Sequence, residues 1–209
     1  MDNINALQWR YATKKFDAEK KVNSEQIEIL KKAFNLTPTS YGLQPLRLII
    51  ISNQELKNKL FEHSFKQIQV KTASHLLVIC TENMVDSKFI NNNFELQKEI
   101  RETTDEIIKP FREFLIKNFN DKSKTEIKTW AVNQAYLALG NLLTVCASEK
   151  IDACPMEGFD NKAYDKILNL GDKNISSSLV LPVGFRAKDD AFADFKKVRR
   201  PLSETIIEM

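Results

Sequence analysis

The segment 125–150 is the longest regular apolar pattern in the chain, and it constrains the fold more than any other feature. Its apolar side chains recur at the spacing of one helical face: Trp130, Leu137, Ala138, Leu142 and Val145. Between positions 135 and 147 the segment is apolar almost all round, which is typical of a helix buried inside a protein. The pattern therefore predicts a central helix on which the rest of the chain packs.

Other patterns predict strands that alternate with helices. Apolar runs of strand length lie at 46–51, 76–80 and 178–184. A first helix is predicted at 3–12, and a second begins at the capping pair Asn23 and Gln26 and stops before Pro38. A third is predicted between the first two strands, and a fourth near 160–169. Strands separated by helices indicate a sheet flanked by helices, of the α+β or α/β class.

The stretch 86–119 mixes charged and aromatic residues, which is typical of surface helices with an aromatic face, and a break is predicted near Pro110. The chain has 209 residues and contains no repeat, linker or low-complexity block. A single domain over 1–209 is therefore expected.

The charge balance argues against several classes of protein. The chain has 31 Lys and Arg against 28 Asp and Glu, a net charge of +3, and 43% hydrophobic residues, as in an ordinary globular protein. A net charge this small does not favour a nucleic-acid partner. No apolar run approaches the roughly 20 residues of a membrane helix, and the polar start Met1-Asp2-Asn3 does not match a secretory signal. We therefore expect no membrane partner and a cytoplasmic location.

Residue types that usually carry catalysis are scarce. The five glycines are too far apart for a dinucleotide fingerprint or a phosphate-binding loop. The three cysteines form no C-x-x-C pair, and the two histidines have no partner at metal-ligand spacing, so no metal site is expected. An enzyme built on this chain would take its reactivity from a cofactor.

Two basic clusters lie at opposite ends of the chain, and a phosphate group needs such cations. The first contains Arg10, Lys14 and Lys15, and the second contains Lys196, Lys197, Arg199 and Arg200. Taken separately, each cluster is equally compatible with a solvated charged surface.

Two loops offer polar groups to a ligand. Pro38-Thr39-Ser40, followed by Gln44-Pro45, places hydroxyl and amide groups just before a predicted strand. The pair Glu157-Gly158 could present backbone N–H groups, because glycine permits close approach. Each loop is equally compatible with an ordinary turn.

Six motifs occur in order along the chain: Arg10-Tyr11-Ala12-Thr13-Lys14-Lys15-Phe16-Asp17, Pro38-Thr39-Ser40 with Gln44-Pro45, Ala73-Ser74-His75, Gln134-Ala135-Tyr136-Leu137, Pro155-Met156-Glu157-Gly158-Phe159 and Lys197-Val198-Arg199-Arg200-Pro201. Together they resemble the oxygen-insensitive NAD(P)H nitroreductases and flavin reductases that bind FMN. The resemblance spans nearly the whole chain. It implies an α+β sandwich with a central mixed sheet flanked by helices, which forms an intertwined homodimer with FMN at the interface.

The resemblance also implies roles for individual residues. Arg10, Lys197 and Arg199 would bind the FMN phosphate, and Lys14 would reach the ribityl chain and the pyrimidine edge. The backbone of Glu157 and Gly158 would face flavin N5 and O4. Contacts from the partner subunit would come from Pro38, Thr39, Ser40 and Gln134. The remaining predicted cofactor contacts are Tyr11, Ala12, Gly42, Gln67, Gln69, Pro155 and Met156, and the predicted substrate channel contains Tyr41, Phe114 and Phe119.

The implied activity is ping-pong transfer of a hydride from NAD(P)H to the flavin and then to a small electron-poor acceptor such as a nitroaromatic, a quinone or free flavin. One position departs from the family pattern, since Ala12 stands where a serine is frequent. Two alternatives remain open: a relative that uses the same pocket for dehalogenation or flavin breakdown, and a non-enzymatic protein that binds nucleic acid through its basic ends.

Overall fold

A four-stranded antiparallel sheet forms the centre of the protein in the computed structural model, which describes residues 2–209. Its strands are β1 (Leu46–Ile51), β2 (His75–Glu82), β3 (Asp152–Ala153) and β4 (Ile175–Gly184). They lie in the order β1-β2-β4-β3. The three predicted strands are therefore confirmed, and β3 is an addition that its length of two residues hid from the sequence.

Nine α-helices surround the sheet in the described part of the chain: α1 (Asn3–Trp9), α2 (Ser24–Asn35), α3 (Gln54–Glu62), α4 (Ile68–Thr72), α5 (Ser87–Arg101), α6 (Asp105–Asn120), α7 (Lys124–Ser148), α8 (Asn161–Ile167) and α9 (Leu202–Thr205). Short 3₁₀ turns lie at Ser40–Gly42 and Gly171–Lys173. Within residues 2–209, no helix is both long and apolar enough to cross a membrane.

The central strands are apolar on both faces because helices cover the sheet on both sides. On β2, Leu76 and Val78 join a buried cluster with residues of α3, α4 and α8. Leu77 and Ile79 point the other way and join a second cluster with residues of α2 and α7. Alternate side chains of one strand thus belong to two different cores.

The predicted central helix is confirmed as α7, which has 25 residues. A capping box between Ser123 and Glu126 begins the helix. Its fully buried positions are mostly small, so the helix can approach the sheet closely, yet Leu137 on the other side is 52% exposed. The helix therefore has an apolar side that this chain alone does not cover.

Helices α5 and α6 form a small third core with the start of α7, in which Phe94, Leu115 and Phe119 are buried. The predicted break near Pro110 is wrong, because Pro110 lies inside α6. The chain turns instead at Glu102, which has φ 51° and ends α5. Proline removes one backbone donor, but the apolar face of α6 keeps the helix continuous across this point.

Two other expectations need correction. The predicted helix at 3–12 ends at Trp9, because Arg10 is already extended and enters the site described below. The three strand pairings are all antiparallel. In residues 2–209 the parallel part of the expected mixed sheet is limited to one bridge between Ala12 and Ala153.

Candidate functional site

The two basic clusters, which lie 187 positions apart, meet in the folded chain. The Lys197 ammonium donates a hydrogen bond to the backbone oxygen of Arg10. Burial lowers the pKa of Arg10, and the neighbouring Arg199 lowers it further. Burial also lowers the pKa of Lys197, with added repulsion from Arg10 and Arg199. Three cations that repel one another are therefore held together at one place. We call Arg10, Lys197 and Arg199 the phosphate cluster.

The phosphate cluster has an unsatisfied donor. Arg10 Nε is buried and has no hydrogen-bond partner among residues 2–209. A buried donor without an acceptor costs about 1–3 kcal/mol, and gathered cations add their repulsion. An anion with several oxygens would remove both costs, so the donor set fits a phosphate group.

An ion pair beside the phosphate cluster holds the chain in this shape. Asp152 of β3 is buried, and its carboxylate accepts hydrogen bonds from Arg186 Nε and from the Arg186 backbone N–H, both at 2.8 Å. The same guanidinium lies 4.5 Å from the ring centre of Trp9 and 4.6 Å from that of Tyr11. Arg186 therefore fixes the end of α1 against the end of β4.

A chain of polar contacts continues from the other side of the phosphate cluster. Lys14 Nζ lies 3.8 Å from Cys154 Sγ, and Gln69 Nε2 approaches the same sulfur at 3.9 Å. Gln69 Nε2 also donates to Gln67 Oε1 at 2.9 Å, and Gln67 Nε2 donates to the Gly158 oxygen at 2.8 Å. The predicted ring-edge residues Lys14, Gln67, Gln69 and Gly158 thus belong to one connected network.

Cys154 lies at the centre of this network and is not among the predicted site residues. Burial raises the pKa of its thiol, and nearby Lys14 offsets this only in part. The thiol is therefore neutral at pH 7 and is a poor nucleophile.

The loop after Cys154 presents backbone donors. Met156 pairs with Val180 of β4 through hydrogen bonds in both directions, at 2.8 and 3.0 Å. No protein group within residues 2–209 accepts a hydrogen bond from the N–H of Glu157 or Gly158. A Cβ on Gly158 would lie 3.4 Å from Gln67 Nε2, so the side of the loop towards Gln67 is already filled.

The residues that were predicted to contact the cofactor from the partner subunit lie in another part of the chain. Gln134 is buried on α7, and its Oε1 accepts the Ser40 N–H at 2.8 Å. Thr39 Oγ1 accepts the Gln44 N–H at 3.0 Å, and Gly42 adopts φ 68°, in the region that favours glycine. These bonds give the Pro38–Gly42 turn a defined shape.

The predicted channel residues belong to one aromatic group around this turn. Tyr41 contacts Phe119 with ring centres 6.2 Å apart, and Phe119 itself is buried. Phe114 stacks on Phe111 at 6.2 Å and is 56% exposed. Tyr41 and Phe114 thus present aromatic surface to a ligand, whereas Phe119 supports Tyr41 from below.

Helix α7 separates the two groups of contacts within one chain. A hydrogen bond to Glu157 raises the pKa of the Tyr136 phenol, so Tyr136 faces the Glu157 loop. Gln134 faces the Ser40 turn. Gln134 and Tyr136 are two residues apart on the helix. This separation corresponds to a rotation of about 200° around the helix axis and places their side chains on opposite sides. One chain therefore does not bring both groups to the same place.

The structure brings some of the predicted cofactor contacts together and gives others a different partner. It joins Arg10, Lys197 and Arg199, and it links Lys14, Gln67, Gln69 and Gly158. Ala12 contributes its backbone to a bridge with Ala153, and Pro155 and Met156 carry the loop that presents Glu157. Tyr11 instead donates its hydroxyl to Asp190.

Sequence reasoning missed Asp152, Arg186 and Asp190. Charged residues of this kind are also typical of exposed surface, so the sequence offers no signal that distinguishes them. In residues 2–209 no three His, Cys, Asp or Glu side chains are grouped so that they could hold a metal ion.

Comparisons with known proteins agree with this geometry. The profile of the Nitroreductase family matches residues 7–185. A Staphylococcus haemolyticus protein named provisionally as an NAD(P)H nitroreductase is 35% identical over 97% of this chain and 95% of its own length. The oxygen-insensitive NAD(P)H nitroreductase of Salmonella typhimurium is 29% identical, with all of both chains covered.

The fold also matches solved structures. A nitroreductase-like protein of Exiguobacterium sibiricum, whose crystal structure is a complex with FMN, superposes with a TM-score of 0.85 over 100% of this chain and 98% of that one, at 19% identity. The match of the profile to most of the chain and the identity to full-length relatives together show that this α+β protein belongs to the Nitroreductase family.

Proposed function

We propose that the protein is an FMN-dependent NAD(P)H oxidoreductase that reduces small electron-poor acceptors. The observation that carries the proposal is the convergence of Arg10, Lys197 and Arg199 from opposite ends of the chain, with a buried donor left for an anion. The names of the relatives and the FMN in a structural neighbour support it.

In this proposal the phosphate cluster binds the FMN phosphate, and Lys14 lies at the ribityl chain and the pyrimidine edge. FMN, when bound, supplies the redox chemistry by taking a hydride from NAD(P)H and passing it to the acceptor. The Lys14 charge favours the negative charge of the reduced pyrimidine edge. The N–H groups of Glu157 and Gly158, which donate to no protein group within residues 2–209, would hold the flavin ring edge that carries N5 and O4.

No side chain of this site is required as a nucleophile. The Cys154 thiol is neutral and buried, and its sulfur is contacted by both Lys14 and Gln69. The exposed rings of Tyr41 and Phe114 offer apolar ring faces on which an aromatic acceptor can stack. The same surface would hold the nicotinamide and the acceptor in turn.

A homodimer completes the proposed site. The Ser40 turn and the Glu157 loop lie on opposite sides of α7, so that a second copy packed against α7 would bring its Ser40 turn to the first copy's phosphate cluster. The exposed apolar side chains fit such a contact. They include Tyr136 and Leu137 on α7 and, near the end of the chain, Val198, Leu202, Ile206 and Ile207.

Replacing Leu137 with aspartate is expected to convert the dimer to a monomer and to weaken FMN binding at the same time, because it puts a charge into the proposed contact. Sedimentation velocity and FMN titration of the same samples would measure both effects. Met84→Asp is the matched control, since Met84 is also 52% exposed but follows β2 instead of lying on α7. A Leu137→Asp protein that remains a dimer with full affinity for FMN would contradict the proposed assembly.

The proposed activity predicts a yellow purified protein with flavin absorbance that oxidises NADH or NADPH when a nitroaromatic or a quinone is added. Mixing the reduced protein with each acceptor in a stopped-flow instrument would rank the acceptors by the rate of flavin reoxidation. Reoxidation by a halogenated phenol and not by nitro compounds would favour the dehalogenase alternative. A colourless protein that does not take up FMN would refute the proposal.

A further inference from the structure

A buried carboxylate joins the two segments that carry the phosphate cluster. Asp190 is 5% exposed. Its Oδ2 accepts hydrogen bonds from the Tyr11 hydroxyl at 2.9 Å, the Lys14 N–H at 2.9 Å and the Lys15 N–H at 3.3 Å. Its Oδ1 accepts the Phe192 N–H at 3.1 Å. One side chain therefore holds both the extended segment that follows Arg10 and the start of the segment that leads to Lys197.

Asp190 is the last buried residue before the cations near the end of the chain. From 191 to 209 every described residue is exposed or only partly buried, and 188–200 contains no helix or strand. We call 191–200 the cationic arm, because it carries Lys197 and Arg199. The arm has local order, since the Ala193 N–H donates to the Asp190 oxygen at 3.0 Å and the rings of Phe192 and Phe195 lie 5.3 Å apart.

The carboxylate is suited to this anchoring role because it is ionised. Burial by itself raises the pKa of Asp190, but the hydrogen bonds from the Phe192 N–H, the Tyr11 hydroxyl and the Lys14 N–H outweigh burial, and the pKa lies below its ordinary value. Hydrogen bonds to an ionised acceptor are roughly twice as strong as neutral ones. They oppose the mutual repulsion that would otherwise drive the cationic arm away from Arg10.

We propose that Asp190 is a positioning residue for the phosphate of FMN, which holds the cationic arm against Arg10 so that Lys197 and Arg199 meet the phosphate while Asp190 itself touches no part of the cofactor. The inference rests on the proposed function. It gives a specific expectation: Asp190 matters more for the phosphate than for the flavin ring, which it affects only through the backbone of Lys14. Riboflavin has the same ring without the phosphate, and it therefore separates the two contributions.

The test is a fluorescence titration of flavin-free protein with FMN and, separately, with riboflavin, in the wild type and in Asp190→Asn. Asparagine keeps the size of the side chain but removes its charge and one acceptor oxygen. We expect FMN to bind about tenfold more weakly or worse, since small misplacements of binding groups have large effects. The affinity for riboflavin should fall by a clearly smaller factor, because riboflavin lacks the phosphate and keeps only the contacts near Lys14. Tyr11→Phe removes one of the four hydrogen bonds. It should also weaken FMN binding relative to riboflavin binding, but by a smaller factor than Asp190→Asn.

Asp189→Asn is the matched control, because Asp189 is the neighbouring carboxylate, pairs with Lys15 and is exposed. It should leave both affinities unchanged. Equal weakening of FMN and riboflavin in Asp190→Asn, or no weakening of either, would overturn the inference. If Asp190→Asn does not fold, Tyr11→Phe decides: an unchanged ratio overturns the inference. A wild type that binds neither flavin would refute the proposed function itself, which is a different result.

Discussion

Replacing Arg10 with alanine is expected to weaken FMN binding by about 100-fold or more, while riboflavin binding changes little. A hydrogen bond to a charged group contributes about 1.5–3 kcal/mol, and a guanidinium can form two to one phosphate. Arg10 is the member of the phosphate cluster whose buried Nε lacks an acceptor among residues 2–209, so its loss removes the donor best placed for the ligand. Titration of flavin-free protein with both flavins measures the effect.

In the flavin-free protein, the same substitution should not lower the stability. Because repulsion from Arg10 lowers the pKa of Lys197, and because the buried Arg10 Nε has no acceptor among residues 2–209, the Arg10→Ala variant without flavin should be as heat-stable as the wild type or more so. Arg200→Ala is the control, since Arg200 is an exposed cation of the same sequence cluster. Arg10→Lys should recover only part of the affinity, because an ammonium lacks the planar pair of donors. Full FMN affinity in Arg10→Ala would remove the phosphate assignment.

Replacing Arg186 with alanine is expected to lower the free energy of unfolding by about 3 kcal/mol, because it leaves the buried Asp152 carboxylate without its cation. The change also removes the contacts with the rings of Trp9 and Tyr11. Urea denaturation at one fixed protein concentration measures this loss, since assembly would otherwise alter the apparent stability.

Two further variants separate the causes of that loss. Lys188→Ala removes a nearby exposed cation and should change stability by less than about 0.5 kcal/mol. The double variant Asp152→Asn with Arg186→Met removes the buried charge together with its partner and should recover part of the stability. A loss in Arg186→Ala no larger than that in Lys188→Ala would show that the ion pair does not hold this region together.

Periodicity predicted the parts of the fold that depend on burial. Helix α7 and strands β2 and β4 each contain a continuous, mainly apolar stretch, and that stretch predicted where each of them lies. The prediction at Pro110 was wrong because the packing of α6 in the third core outweighs the tendency of proline to interrupt a helix. The two-residue strand β3 has no period at all, and its pairing with β4 depends on the rest of the sheet.

The candidate site was less accessible to sequence reasoning. Composition identified two basic clusters, but nothing local connects residue 10 with residue 197, and only the family resemblance joined them. Asp190 could not be distinguished from Asp189, although one is buried with four hydrogen bonds and the other is exposed. The difference depends on which of two adjacent carboxylates the fold turns inward.

The position of α7 between the Ser40 turn and the Glu157 loop has a thermodynamic consequence if two chains share each site. Retention of the flavin and association of the chains then become a single linked equilibrium. Dilution would release cofactor as well as partner, and a high flavin concentration would hold the pair together. The number of competent sites in a cell would thus depend on how much of the protein is made, and not only on how well each copy folds.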